Sequence, residues 1–479
     1  MRHMRWLRML TIALMLPACP RVFGAASDRA RDTVRLVVLH INDEHGHLLP
    51  HREAGELQGG VARVAMLIER VRKEAGGQNV LLLHAGDVLS RGDSITTFFG
   101  GCVNFEIMNR IGFDAFTPGN GEFYTGVSHL LELQRLVRFP FIEANLASAI
   151  DNRLIFEPSI IKTIDGIRIA IIGLGFIHRE HPSSHGLALD DPMSVASRLL
   201  PDLHAKADCV IALTHIGYPD DERLAAIPNA PDIIVGGHSH DALDTGVVVL
   251  HDADSGRTLI AQAGEYDEYL GRIDAALVND GARYRIVSMH ARLISVDSTA
   301  PEDAPVARLL RKESSRLRAA VCTAHGDIPR TLGKSHPLDT AVARALKAAA
   351  RADVALVPAH AIGGDLRKGP VLYADICRIY PAGNRVVDTA VAGSRLYSLL
   401  GVKNAVLDGV LIDTAARRIV AVNGRRFDPG RKYRVAIVET PADTAAALRT
   451  DAARISADDV RRAIVKAIRD PHSGCGCAR

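Results

Sequence analysis

One recurrence constrains this chain more than any other feature. Short apolar, β-branched runs each end in glycine or a small polar residue beside a side chain that can bind a metal. Val34–His40 leads into Asn42-Asp43-Glu44-His45, and Val80–Leu83 into Gly86-Asp87. Ala115–Thr117 leads into Gly119-Asn120, and Cys209–Leu213 into Thr214-His215. Asp232–Val235 leads into Gly236-Gly237-His238-Ser239-His240. Between these runs lie stretches with helical spacing. Residues 60–75 place Val61, Val64, Ala65, Leu67, Ile68 and Val71 on one side, and 103–112, 127–138 and 192–207 read similarly. Arg168–Gly173 is a further strand. Strands alternating with helices predict a layered α/β domain. In open sheets of this kind, ligands gather beyond the carboxyl ends of the strands.

The 479 residues allow two or three domains at about 150 residues each. Residues 300–320 open with proline and acid, then become a charged helix, which reads as an interdomain connector. A second α/β region runs from about 325 to 470. Its expected elements are helices over 341–350, 395–400 and 460–468 and strands over 354–357 and 433–438. With 58 basic and 55 acidic residues the net charge is +3, too balanced for a nucleic-acid polymer as partner. Cys19, Cys102, Cys209, Cys322, Cys377, Cys475 and Cys477 are scattered, which excludes a disulfide-stapled miniature. The tail His472–Cys477 reads as a frayed terminus.

The start of the chain reads as an address. Residues 2–8 are rich in arginine, residues 9–18 are apolar, and Gly24, Ala25 and Ala26 follow. This is the pattern of a secretory signal over residues 1–26. The apolar run is too short for a bilayer, which needs about 20 residues. The expected location is periplasmic or secreted. Leu16-Pro17-Ala18-Cys19 also has the form of a lipoprotein box, so lipidation at Cys19 would give a membrane anchor.

Asp43, His45, Asp87, Asn120, His215, His238 and His240 make two carboxylates, one amide and four imidazoles. Zinc, manganese and iron accept such a set, whereas calcium and magnesium rarely take several histidines. Seven ligands exceed one tetrahedral ion and suit two divalent ions sharing a carboxylate. Two metals about 3.5–4 Å apart can clamp both oxygens of an in-line displacement and supply a hydroxide. On a strand, Asp43-x-His45 would put both side chains on one face, as would His238-x-His240 if its strand runs that far.

These motifs resemble the 5'-nucleotidase / UDP-sugar hydrolase branch of the calcineurin-like metallophosphoesterases. The resemblance rests on Asn42-Asp43-x-His45-Gly46, Gly86-Asp87, Gly119-Asn120-x-Glu122-Phe123, Thr214-His215-x-Gly217 and Gly236–His240. Ala263-Gly264 through Tyr269-Leu270-Gly271 resembles the family's closing strand, and Asp375–Asn384 its C-terminal domain. The resemblance implies a four-layered α/β sandwich over 34–295 and a smaller substrate-facing α/β domain over 325–470. It implies that Asp43, His45, Asp87 and His240 hold one ion. Asp87, bridging, would hold the other with Asn120, His215 and His238. The implied activity is metal-dependent hydrolysis of a small phosphomonoester or phosphoanhydride.

The chain departs from that family at two places. The family's Gly-Asn-His-Glu motif, with an Asp three residues after the His, supplies a pair that assists the leaving group. Here those positions are Gly121 and Tyr124. Glu122, His47, His84 and Arg91 lie nearby, and no catalytic side chain is assigned among them. His84 reads as a core position and Arg91 as a solvated loop residue. In the C-terminal domain, Pro358–Gly363 replaces an Asn-x-Gly-Gly-x-Arg loop, and Arg367, four residues on, is the candidate substrate-binding residue. Ala382 replaces a phenylalanine, and Glu439–Asp443 lacks an aromatic to stack a base. These departures leave two alternatives to the hydrolase. One is a metal-retaining binding protein. The other is an enzyme of the same fold acting on another oxyanion, as the thiosulfohydrolases do.

Overall fold

The computed structural model describes residues 33–478, apart from 54, 78, 91, 252–255, 325, 331–336, 381–384, 401–404, 414, 417, 439–453 and 470–476. The expectations for residues 1–26, Cys19, Arg91, Ala382, Glu439–Asp443 and Cys475 lie outside the described residues.

Two sheets form the centre of the first domain. Thr33–Ile41 (β1) is followed by a small ribbon, His51–Glu53 (β2) and Glu56–Gln58 (β3). β1 pairs in parallel with Val80–His84 (β4), which pairs in parallel with Ala115–Phe116 (β5). A second ribbon joins Leu146–Ser148 (β6) to a strand at Leu187–Leu189. In the other sheet Ser159–Ile164 (β7) flanks Ile167–Leu174 (β8), and Leu187–Leu189 counts as β9. Cys209–Thr214 (β10), Ile233–Val235 (β11) and Arg257–Ala261 (β13) then continue in parallel, with Val247–Leu250 (β12) antiparallel at the edge. Tyr269–Asn279 (β14) returns antiparallel to β1, and Tyr284–Ser295 (β15) closes that sheet.

The central strands β1, β4, β8, β10 and β11 are apolar along most of their length because both faces are buried. On β1, Leu36 and Val38 join the core between the sheets, with Leu81, Ile171, Ile211 and Val235. Val37, Leu39 and Ile41 join a separate core with Val64 and Ile68 of helix α1 (Val61–Glu74). On the far side, Ile172, Val210 and Ile234 pack under Val195 and Leu200 of the helix Pro192–Lys206. Helix, sheet, sheet, helix is the expected four-layered sandwich. One amide ties the two sheets at the site end. Asn42 Nδ2 donates to the Gly264 carbonyl at 2.7 Å, and Asn42 Oδ1 accepts from the Ala263 amide at 2.8 Å.

The helix Ala304–Arg318 occupies the expected connector, and it is also a packing element. Val306, Ala307, Leu309, Leu310 and Leu317 are buried in the same core as α1. The second domain centres on a five-stranded sheet, in the order 405–408, 354–358, 432–438, 385–392 and 454–459. Helices Pro337–Ala350 and Val460–Arg469 share a core with it through Val342, Leu346, Ala436 and Ile464. Across the domain boundary, the Phe98 ring meets Tyr373 edge-on at 5.2 Å. Arg461 donates to the Thr97 carbonyl and, at 3.0 Å, to that of Tyr380.

Candidate metal centre

The parallel strands β1, β4, β5, β10 and β11 deliver their carboxyl ends to one edge, and six of the seven expected donors converge there by direct contacts. Asp43, His45 and Asp87 do not lie on strands. β1 stops at Ile41, and these residues adopt left-handed φ values of 54°, 49° and 56°. His238 and His240, at 80° and 61°, likewise follow the end of β11 at Val235. The expected two-residue strand period therefore does not place these pairs; sharp turns do. Backbone bonds pin the turns, from Asp43 N to Gly86 O at 2.9 Å and from His45 N to Asp87 O at 2.7 Å. Such φ values cost non-glycine residues energy, and they cluster where surrounding structure holds a functional geometry.

Two subclusters share the carboxylates. His45 Nε2 lies 3.0 Å from His240 Nε2, 3.6 Å from Asp43 Oδ1 and 3.7 Å from Asp87 Oδ2. His240 Nε2 is 3.3 Å from Asp43 Oδ1. On the other side, His215 Nε2 is 3.5 Å from Asp87 Oδ1 and 4.0 Å from Asp43 Oδ1. The His238 ring stands 5.2 Å from that of His215, and its amide donates to Asp43 Oδ2 at 2.8 Å. Asn120 starts a short helix over 120–123.

Three of the imidazoles have their outer nitrogen fixed. His215 Nδ1 donates to the Ala85 carbonyl at 2.6 Å, His240 Nδ1 pairs with Glu265 at 2.6 Å, and His45 Nδ1 meets Ser90 Oγ at 3.2 Å. All three rings therefore offer Nε2 inward, the arrangement that orients ligating histidines. Among the expected donors, three buried atoms are without a hydrogen-bond partner: Asp43 Oδ1, Asn120 Oδ1 and His215 Nε2. A buried polar atom without a partner is costly, and a bound cation would give Asp43 Oδ1 and His215 Nε2, which stand 4.0 Å apart, a shared one. The donor set fits divalent cations of the zinc, manganese or iron kind.

The electrostatics agree. Burial works to lower the pKa of His215, yet the Asp87 and Asp43 carboxylates outweigh it and hold it up at about 10. Burial alone would raise Asp87, but the His215 and His45 imidazoles bring it down to about 2. His238 is driven down to about 4 by burial, with His215 adding repulsion. The cluster demands positive charge, and a bound cation would displace the His215 proton. Close glycines make the approach feasible. A Cβ on Gly119 would sit 2.3 Å from Asp87 Oδ1 and 2.6 Å from His215 Nε2.

Glu122 has a structural role. Its carboxylate accepts the amides of Asp87 at 2.8 Å, Leu89 at 2.8 Å and Gly119 at 2.7 Å, tying two donor loops together. The spacing Gly119-x-x-Glu122 is a capping pattern, a signal available in the sequence. Glu265 carries no such signal, because its partner lies 25 residues away. The space where the family's histidine would project is filled. A Cβ on Gly121 would lie 2.8 Å from Ser90 Oγ and 2.9 Å from Asp87 Oδ1. Tyr124 accepts from Asn120 Nδ2 at 3.0 Å, and its ring lies 4.7 Å from His181 and 6.2 Å from His178. His84 is a core residue, as expected, against Phe113 and Phe116. Arg367 is exposed on the second domain, next to buried Leu366.

Comparison with known proteins gives the same picture. Residues 36–242 match the calcineurin-like phosphoesterase family, and residues 319–445 the 5'-nucleotidase C-terminal domain. Protein UshA of Yersinia enterocolitica is 27% identical over 471 residues, covering 84% of each chain. A 5'-nucleotidase of Vibrio cholerae is 28% identical over 426 residues, covering 78% of this chain and 76% of that one. The solved 5'-nucleotidase precursor of Thermus thermophilus superposes with a TM-score of 0.55 at 22% identity, covering 90% of this chain and 96% of the other. With both domains matched in order, and a donor set suited to cations between the sheets, the chain belongs to the 5'-nucleotidase branch of the calcineurin-like phosphoesterases, which are metal-dependent phosphoester hydrolases.

Proposed function

We propose that this chain is an extracytoplasmic hydrolase of small phosphomonoesters or phosphoanhydrides that works with two divalent ions and without a His–Asp acid pair. The observation that carries this reading is the pair of donor groups Asp43–His45–His240 and Asp43–Asp87–His215, which share Asp43 and in each of which the ligand atoms lie within 4.8 Å of one another. Asp43, His45, Asp87 and His240 would hold one ion; Asp87, Asn120, His215 and His238 would hold the other. Divalent ions bound there supply charge stabilisation and an activated water for in-line attack at phosphorus. The chain's own residues set the frame. Glu122 locks the Asp87 and Asn120 loops, and Ser90, Ala85 and Glu265 fix the imidazoles.

With Gly121 and Tyr124 in place of the pair, leaving groups that need no proton are favoured. A general acid is typically worth about 10²–10⁴ in rate. Arg367 is the proposed contact for the substrate's far end. The charged start, apolar run and small-residue exit of residues 1–26 support export, and Cys19 is the residue at which lipidation would anchor the chain. Among the described residues no helix is long and apolar enough to cross a membrane.

The test is phosphate release by protein stripped with EDTA and reloaded with Mn²⁺ or Zn²⁺, on nucleotides, UDP-sugars and p-nitrophenyl phosphate. Activity should vanish on stripping and return on loading. Asn120→Ala and His215→Ala should lose more than the about 10–100-fold that removal of an outer partner costs. Sulfate release in place of phosphate, or ligand binding with no product from any substrate, would overturn the reading.

A further inference from the structure

A second group of donors lies beside the metal centre and outside it. His51 and Glu53 alternate with Arg52 on β2, so they share one face of that strand. Facing them is Glu268, from the loop that enters β14. One donor atom from each of the three lies within 4.8 Å of the others. His51 Nε2 is 3.1 Å from Glu268 Oε1. Ligands of a tetrahedral ion with bonds of 2.0–2.1 Å stand about 3.3 Å apart, so this direct hydrogen bond already holds the two donors at ligand spacing. The Asp43, His45 and His240 subcluster shows the same range, 3.0 to 3.6 Å.

The chemistry asks for a cation. The Glu53 and Glu268 carboxyl groups lie beside a single imidazole, so a cation held by all three would balance them. Glu268 is 14% exposed, whereas Glu53 is exposed and leaves the open side of the group to water. The positions are firmly held. Gly59 N donates to Val296 O at 2.7 Å, and Val296 N to Glu268 O at 2.9 Å. Gly59 also makes room for the ring, since a Cβ there would lie 3.2 Å from His51 Nδ1.

We propose that His51, Glu53 and Glu268 form an accessory site for one divalent ion of the zinc class. One imidazole and two carboxylates suit such an ion and leave its fourth position to water. The inference goes beyond the phosphoesterase reading and stands apart from it. The site has a structural consequence as well. Glu265, which orients His240, sits three residues before Glu268 on the same loop, so an ion on Glu268 would steady that loop.

The test is ion counting by mass spectrometry after stripped full-length protein is dialysed against micromolar ZnSO₄. Wild type should hold three ions, His51→Gln/Glu53→Gln two, and Asp43→Asn/Asp87→Asn one. In Glu53→Gln alone, an exposed substitution that spares the core, zinc affinity at this site should fall by about tenfold or more. Equal counts in wild type and His51→Gln/Glu53→Gln would overturn the accessory site and leave the two-ion reading standing. A count that His51→Gln/Glu53→Gln lowers by one, with none lost in Asp43→Asn/Asp87→Asn, would support the accessory site and overturn the two-ion centre.

Discussion

At the scale of single residues, two positions separate this chain from the enzymes it resembles. Gly121 removes an imidazole, and Tyr124 engages Asn120 through its hydroxyl. p-Nitrophenyl phosphate should therefore be cleaved about 10²–10⁴ times faster than an alkyl phosphate; comparable rates would refute the loss of acid assistance. Restoring the histidine alone should fail. Gly121→His would press its Cβ against Ser90 Oγ, Asp87 Oδ1 and the Leu89 carbonyl at 2.8–3.0 Å. The expected outcome is weaker ion retention with no gain in rate, read by metal analysis beside kinetics. The donor residues are legible in the sequence because each follows an apolar run. Glu265 is not, since nothing local to residue 265 reveals that it faces His240.

At the scale of elements, the strands and helices of the first domain fall close to their expected places, because burial on both faces leaves an unbroken apolar signature. The ends are less legible. Placing Asp43 and His45 on a strand predicts the correct convergence for the wrong reason, since left-handed turns bring them together. That conformation leaves no trace in hydrophobic periodicity. Strand pairing adds a second constraint invisible from one segment. His40 on β1 stands opposite Gly271 on β14, and a Cβ at Gly271 would lie 2.1 Å from the His40 ring. Gly271→Ala should destabilise the protein by about 1–3 kcal/mol through overpacking. Chemical denaturation checks this, and an unchanged midpoint would contradict it.

At the scale of the molecule, stability should depend on pH through two histidines outside the proposed ligand set. Burial lowers His40 to about 4 and His84 to about 3. In the unfolded chain both titrate near 6.5. As pH falls below that value, the unfolded state takes up protons that the native state refuses, so stability drops. Each group contributes about 1.4 kcal/mol per pH unit between 6.5 and its native value. His84→Gln should flatten the fall between pH 6.5 and 5 by one proton's worth; equal slopes would exclude His84 as a source. The two-domain layout is legible from composition and periodicity. The contacts of Phe98 with Tyr373 and of Arg461 with Thr97 are not, because they join surfaces hundreds of residues apart.

The Asn42 amide acts as a rivet between two plates. Because it grips both Ala263 and Gly264 from the far sheet, the donors above it on either plate cannot drift apart one at a time. The gap that would cage the ions is thus set by a neutral side chain outside the ligand set. Asn42→Ala should speed amide hydrogen exchange at Ala263 and loosen every ion together, whereas loss of one donor would loosen its own ion first.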